Sequence, residues 1–317
     1  MNKKVVVFGG GTGLSYLLKG LKKFPLDITA VITVSDNGSS TGKLRKEFKT
    51  PAVGDIRKVI TSLSEIDDPI KRLMEYRFNT NSDLDGHAVG NLILTAMLDI
   101  TGSLKDSIGA LSKLLDVKQT VLPISEDSNL TLMAKDKSGN IIEGECEITK
   151  AHRKVEKLFY KEEPKVIKEV IDATMSADLI LFSMGSLYTS ILPNIICKEV
   201  KTSLEKTNAP IIYLCNAVTQ PGETDNFTVG DHVELINKYI SPRKVNAVIA
   251  SNTKIDEKII KKYSTEEQKD LVNIDYAKIA ELEVELIEDD LITIEDNIIR
   301  HNSIKLSSII FSYLMRN

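Results

Sequence analysis

Two rhythms of apolar residues run along this chain. Short runs rich in Val and Ile, at 5–8, 28–34, 178–183, 210–215 and 245–250, are bounded by turn residues. Runs of that length without alternation predict strands buried on both faces. Between them the apolar positions recur at helical spacing: Leu14, Leu17, Leu18 and Leu21, then Leu92, Ile93, Ala96 and Leu98, then Val166, Ile167, Val170 and Ile171. Strands alternating with helices predict an α/β chain with a Rossmann-like, mostly parallel sheet and helices on both faces.

The middle of the chain departs from this rhythm. Segments 120–124, 130–135 and 141–149 read as short strands, with Asp136, Ser138, Gly139 and Asn140 as turn residues between the last two. They predict a small antiparallel β insertion over about 118–160. Segment 254–267 reads as a charged helix, and a last helix is expected over 303–314. No internal repeat, low-complexity tract or linker interrupts the chain, which favours one elaborated domain over 1–317.

Composition narrows the class. At 317 residues, 42% hydrophobic and 27% charged, the chain has the make-up of a folded, water-soluble protein. Lys and Arg total 41 against 45 Asp and Glu, with no basic block and no tryptophan, so nucleic acid is not an expected partner. Cys146, Cys197 and Cys215 form no CxxC pair, which fits a reduced cytoplasm rather than a disulfide framework or a zinc site. No apolar run approaches the roughly 20 residues of a membrane helix. Assembly into a homo-oligomer is left open by the sequence.

Polar clusters follow the predicted strands. After the first comes Gly9-Gly10-Gly11-Thr12-Gly13, where glycines permit close approach and a helix start offers N–H groups to a phosphate. The dinucleotide fingerprint is broken, because Leu14 stands at its third glycine position. After the second come Asp36, Ser39, Ser40, Lys43 and Arg45, a loop resembling a phosphate cradle but one residue short of Walker A between Gly38 and Gly42. Asp55 falls at a predicted helix start. His87 and Asn91, four apart, are expected on one helix face and to hydrogen-bond rather than bind metal. Gly185 and Ser186 follow another strand, and Asn216, Thr219 and Gln220 the next. Ligands of open parallel sheets bind outside the carboxyl ends of the strands, where the four clusters that follow strands fall, those at 9–13, 36–45, 185–186 and 216–220. Arg300 and His301 could pair with a phosphate, and Tyr263 could offer a ring to a base. No serine elbow, HExxH or cysteine–histidine signature is present.

Taken together, FGGGTGLSYLLKGLK at 8–22, SDNGSSTGKLR at 35–45, VGDIRKVITSLS at 53–64, HAVGNLIL at 87–94, GSLYTSILPN at 185–194, CNAVTQPGETDNF at 215–227 and IRHNSIKLS at 299–307 resemble the bacterial YvcK family of gluconeogenesis factors. That family lies within the CofD-like 2-phospho-lactate transferase superfamily, and the resemblance spans nearly the whole chain. It implies cytoplasmic binding of a nucleotide-sugar, UDP-N-acetylglucosamine, and a link to gluconeogenic carbon metabolism, cell-wall synthesis partners and cell shape. It further implies that Gly10, Gly11, Thr12 and Gly13 meet the diphosphate, with Asn216, Thr219 and Gln220 nearby and Tyr263 and Arg300 at ligand-contacting positions.

The alternative is a transferase on a nucleotide diphosphate, using Mg2+ held by Asp36 and Asp55. The family's second loop resembles DDGGSSG, whereas Asn37 follows Asp36 here and Ser39 replaces a glycine. A neutral Asn adds no charge for a hard cation. The reading therefore leans to a binder that requires no cofactor.

Overall fold

The structure, a computed structural model, describes residues 2–295 and 298–316. Its first half runs β1 (Lys3–Gly9), α1 (Gly11–Leu21), β2 (Leu26–Ile32), α2 (Ser39–Phe48), α3 (Gly54–Leu63), α4 (Asp68–Glu75), α5 (Val89–Thr101), α6 (Leu104–Leu114), β3 (Thr120–Pro123), β4 (Leu132–Asp136), β5 (Ile141–Glu143), α7 (Glu145–Lys150) and β6 (Val155–Tyr160). The second half runs α8 (Lys168–Met175), β7 (Leu179–Phe182), a π turn (Leu187–Ile191), α9 (Leu192–Ile195), α10 (Lys198–Lys206), β8 (Ile211–Leu214), α11 (Val229–Ile240), β9 (Ala247–Ser251), α12 (Glu257–Glu266), α13 (Tyr276–Glu281), β10 (Glu285–Asp289), β11 (Ile292–Glu295), β12 (Ile298–His301) and α14 (Ser303–Arg316).

Seven parallel strands form one sheet in the order β10-β9-β8-β7-β1-β2-β3. The Val and Ile runs make these strands because both their faces are buried: every residue of β7 and β8 is buried. Phe8 and Phe182 meet edge to face at 6.1 Å across the β1–β7 pair. The chain builds outward from β1 in one direction through β2 and β3, then returns to its other side and builds through β7 to β10. The loop after β1 therefore stands at the reversal point of the sheet, where such folds open a crevice. Among the described residues no helix is long and apolar enough to cross a membrane.

The insertion differs in detail from its sequence reading. Segment 120–124 forms no part of it: β3 pairs parallel with the edge of β2, because Val121 and Leu122 find buried apolar neighbours there. The antiparallel sheet is instead β5-β4-β6. Asp136 fixes its turn by accepting hydrogen bonds from the Ser138 and Asn140 amides at 2.9 Å. The expected strand over 141–149 ends at Glu143, where Gly144 at φ 100° turns the chain into α7.

Candidate functional site

At the reversal point β1 passes through the glycine loop into α1. Gly11 sits at φ 63°, in the left-handed region, and a Cβ there would lie 3.6 Å from the Asp55 carboxylate. A Cβ on Gly13 would stand 2.2 Å from the Met184 carbonyl oxygen, so the first turn of α1 lies directly against the end of β7. Among the described residues no side chain caps α1, and its first turn holds no acid. Its amides are thus not spent on a local cap.

The second strand end folds more than a loop reading suggests. α2 begins at Ser39, and its helical turn carries Lys43 and Arg45 away from any anion cradle. Lys43 donates to the Asp85 carbonyl at 3.3 Å, whereas Arg45 clasps four carbonyls, those of Ser35, Asp36, Ser128 and Leu130. Arg45 thereby ties the loop to the start of the insertion. Asp36 accepts from the Gly38 amide at 2.8 Å. Burial pushes its carboxyl up, the Gly38 amide pulls it down, and the charge of Asp55 pushes it up again.

His87 precedes α5, so it and Asn91 do not share a helix face; they meet through Ser40. Arg57 donates from Nε to Asn91 Oδ1 at 3.0 Å, which fixes the amide and turns Nδ2 toward Ser40 Oγ at 3.2 Å. Ser40 Oγ in turn shares a hydrogen bond with His87 Nδ1 at 3.1 Å. All four side chains are buried, Arg57 at 4% exposure. They form a buried chain behind the crevice and do not line it.

The third and fourth strand ends interlock. Asn216 accepts from the Gly185 amide at 2.8 Å and donates to the Gly185 carbonyl at 2.7 Å. Ser186 donates to Glu223 at 2.5 Å, and Thr149 of the insertion donates to the other Glu223 oxygen at 3.1 Å. Thr219 is buried and accepts from the Asp270 amide at 2.9 Å, while Gln220 Oε1 is buried without a partner among the described residues. Beside Asn216 a cavity of about 260 Å3 opens at the ends of β8 and β9, with Ser251, Asn252 and Thr253 in its wall.

Glu145 and Glu223 were not among the sequence candidates. Glu145 opens α7, and its Oε2 is closed from solvent with no hydrogen-bond partner among the described residues. Burial first, then the charges of Asp36, Asp55 and Glu223, push its carboxyl well up. Burial likewise raises Glu223, against the pull of Ser186 and Thr149. These carboxyls come from four separate segments and face one region. Asp36 and Asp55 are hard oxygen donors suited to magnesium. Among the described residues, however, no three His, Cys, Asp or Glu are grouped to hold a metal ion, so the side chains as they stand do not fit one.

Of the C-terminal candidates, Arg300 and His301 sit in β12 and Tyr263 in α12. Tyr263 is buried at 5% exposure and accepts the Ile299 amide at 2.8 Å through its hydroxyl, so its ring is not open for a base to stack on. His301 holds the Cys215 carbonyl at 3.2 Å, and burial pushes it down to about 4, leaving a neutral ring with no place in phosphate pairing. Arg300 points elsewhere, over the Tyr16 ring at 5.9 Å and 3.6 Å from Glu295, in a second cavity beside α1.

This chain is similar to several known proteins. The model of the family described as 2-phospho-L-lactate transferase CofD matches residues 5–292. A gluconeogenesis factor of Bacillus subtilis is 38% identical, with 98% of each chain covered, and one of Halalkalibacterium halodurans is 39% identical over 97% of this chain and 95% of its own. The crystal structure of a Bacillus halodurans protein superposes with a TM-score of 0.95 at 39% identity, covering 98% of this chain and all of that one.

Proposed function

The chain belongs to the 2-phospho-L-lactate transferase CofD family, and from that premise we propose that it binds a nucleotide-sugar such as UDP-N-acetylglucosamine and acts as a cytoplasmic regulator of gluconeogenic carbon metabolism. Cell-wall and cell-shape control belongs to the same proposal. The observation that carries it is the uncapped start of α1 at the reversal point of the sheet, packed so closely on Met184 that only backbone lies between them. Its amides and positive end suit a diphosphate. The neighbouring cavity, with Asn216, Ser251, Asn252 and Thr253, offers neutral hydrogen-bonding groups to a base and ribose.

Calorimetric titration with UDP-N-acetylglucosamine, NAD and GDP, with and without magnesium, followed by recovery of the ligand, tests this reading. Selective binding of the UDP-sugar, recovered intact, is the expected result. The carboxyls of Asp36, Asp55, Glu145 and Glu223 around one crevice favour a second reading, a transferase acting on a nucleotide diphosphate. Release of a nucleoside mono- or diphosphate on incubation would establish it in place of the first.

A further inference from the structure

Beside α1, a cavity of about 480 Å3 is lined by residues of α1, α3, the end of α4 and the chain after it, and the β11–β12 pair. Five cationic side chains line it, Lys19, Arg57, Lys58, Arg77 and Arg300, against two carboxylates, Glu75 and Glu295. This concentration of positive charge stands out in a chain of net charge −4. Two of the five are already neutralised: Lys58 pairs with Asp55 at 3.1 Å and Arg300 with Glu295 at 3.6 Å. Among the described residues, Lys19, Arg57 and Arg77 form no ion pair.

Arg57 is the centre of the cavity's chemistry. A guanidinium stays charged when buried, and an unpaired buried charge is costly. Burial and the nearby charge of Arg77 both work against the charged form of Arg57, and Glu75 offsets them only in part. Among the described residues no carboxylate pairs with it; its Nε bonds Asn91, which fixes the plane of the guanidinium through Ser40 and His87. Among the described residues its Nη atoms have no hydrogen-bond partner. A fixed guanidinium with a free edge, next to a second guanidinium, is suited to bidentate capture of a tetrahedral oxyanion.

We propose that this cavity is a phosphate-binding site in which buried Arg57, with Arg77 and Lys19, holds a phosphate group. A phosphate monoester carries close to two negative charges at neutral pH and would offset most of the uncompensated charge; a neutral sugar would offset none. The phosphate has two available sources. It belongs either to a separate small phosphate ester, or to the nucleotide-sugar of the proposed function, reaching past Thr12, which lies in the first turn of α1 and in the cavity wall. Only the second source rests on the nucleotide-sugar reading.

The full chain is titrated with inorganic phosphate and with glucose 6-phosphate in a phosphate-free buffer, alongside Lys19→Glu and Arg77→Gln. Both positions are exposed, and circular dichroism confirms that the variants are folded. Saturable phosphate binding, weakened about tenfold or more in each variant, is the expected result. No saturable binding of either probe, or equal affinity in wild type and both variants, overturns the proposal. Saturating UDP-N-acetylglucosamine then identifies the source: displacement of phosphate assigns the site to the nucleotide, and co-binding assigns it to a separate ester. If the UDP-sugar fails to bind while phosphate still does, the nucleotide reading falls and the phosphate site stands.

Discussion

The two hollows flanking the start of α1 carry opposite charge. On one side Asp36, Asp55, Glu145 and Glu223 converge, with a Glu145 oxygen that has no hydrogen-bond partner among the described residues; on the other, Arg57, Arg77 and Lys19 form no ion pair among the described residues. α3 divides them, because Asp55 at its start faces the glycine loop while Arg57 and Lys58 face the cavity. An acidic crevice repels a diphosphate and the cationic cavity attracts one. The border between them, at Gly11 and Thr12, is therefore where a diphosphate is best accommodated, with neutral groups to one side for the nucleoside and cations to the other for phosphate oxygens.

The largest expected effect breaks the cationic side from within. Asn91→Leu removes the acceptor for Arg57 Nε and the donor to Ser40, leaving a buried guanidinium unbonded, and should cost about 3 kcal/mol of stability in urea unfolding. A loss below about 1 kcal/mol would show that the buried chain does not hold Arg57. Gly11→Val tests the border itself: a β-branched residue at φ 63° is strained by about 1–3 kcal/mol, and its side chain would fill the space before Asp55. A chain that stays folded but no longer binds the UDP-sugar is the outcome expected; retained affinity would remove the glycine loop from the site. Arg300→Ala should weaken the phosphate-bearing ligand by about 1.5–3 kcal/mol in calorimetry, the size of a charge-assisted bond. Unchanged affinity would leave Arg300 as a partner of Glu295 alone.

The sheet was legible because Val and Ile runs buried on both faces leave a strong local signal, and so were the strand-end clusters, which turn residues mark. What the sequence hid is set by contacts distant along the chain. Ser40, His87 and Asn91 were identifiable as polar oddities, but their union with Arg57 depends on α2, α3 and α5 meeting. Lys43 and Arg45 resembled an anion cradle because spacing says nothing of which way a helix turns. Glu145 left no local sign at all, since a Glu at a helix start is ordinary and only the fold sets it before Asp36 and Asp55. Glu223 stood in view within PGET but was passed over beside Thr219 and Gln220.

Glu145→Gln tests the acidic side by removing charge while keeping shape. Because burial and three neighbouring carboxylates raise the Glu145 carboxyl in the folded state, the native chain binds more protons there than the unfolded one. Its contribution to stability is complete below the ordinary Glu range and is lost as pH rises through the raised folded value. The variant should therefore unfold at a higher temperature at neutral pH, by on the order of 1 kcal/mol, and show a flatter decline of stability above the ordinary Glu range. An unchanged pH profile would mean that Glu145 is ionised and compensated in the native state.

Tyr263→Phe is expected to have the smallest effect, and it separates two roles that a binding assay on Tyr263→Ala would merge. The hydroxyl accepts the amide of Ile299, the residue before Arg300, so Tyr263 acts on the cationic side by holding the hairpin that presents the guanidinium. Its loss should cost about 0.5–1 kcal/mol, seen as faster hydrogen exchange at Ile299. Ligand affinity should fall by less than in Arg300→Ala, because the guanidinium keeps its contacts with Tyr16 and Glu295. A drop equal to that of Arg300→Ala, with exchange at Ile299 unchanged, would put the phenol in contact with ligand and give it a part that its buried position argues against.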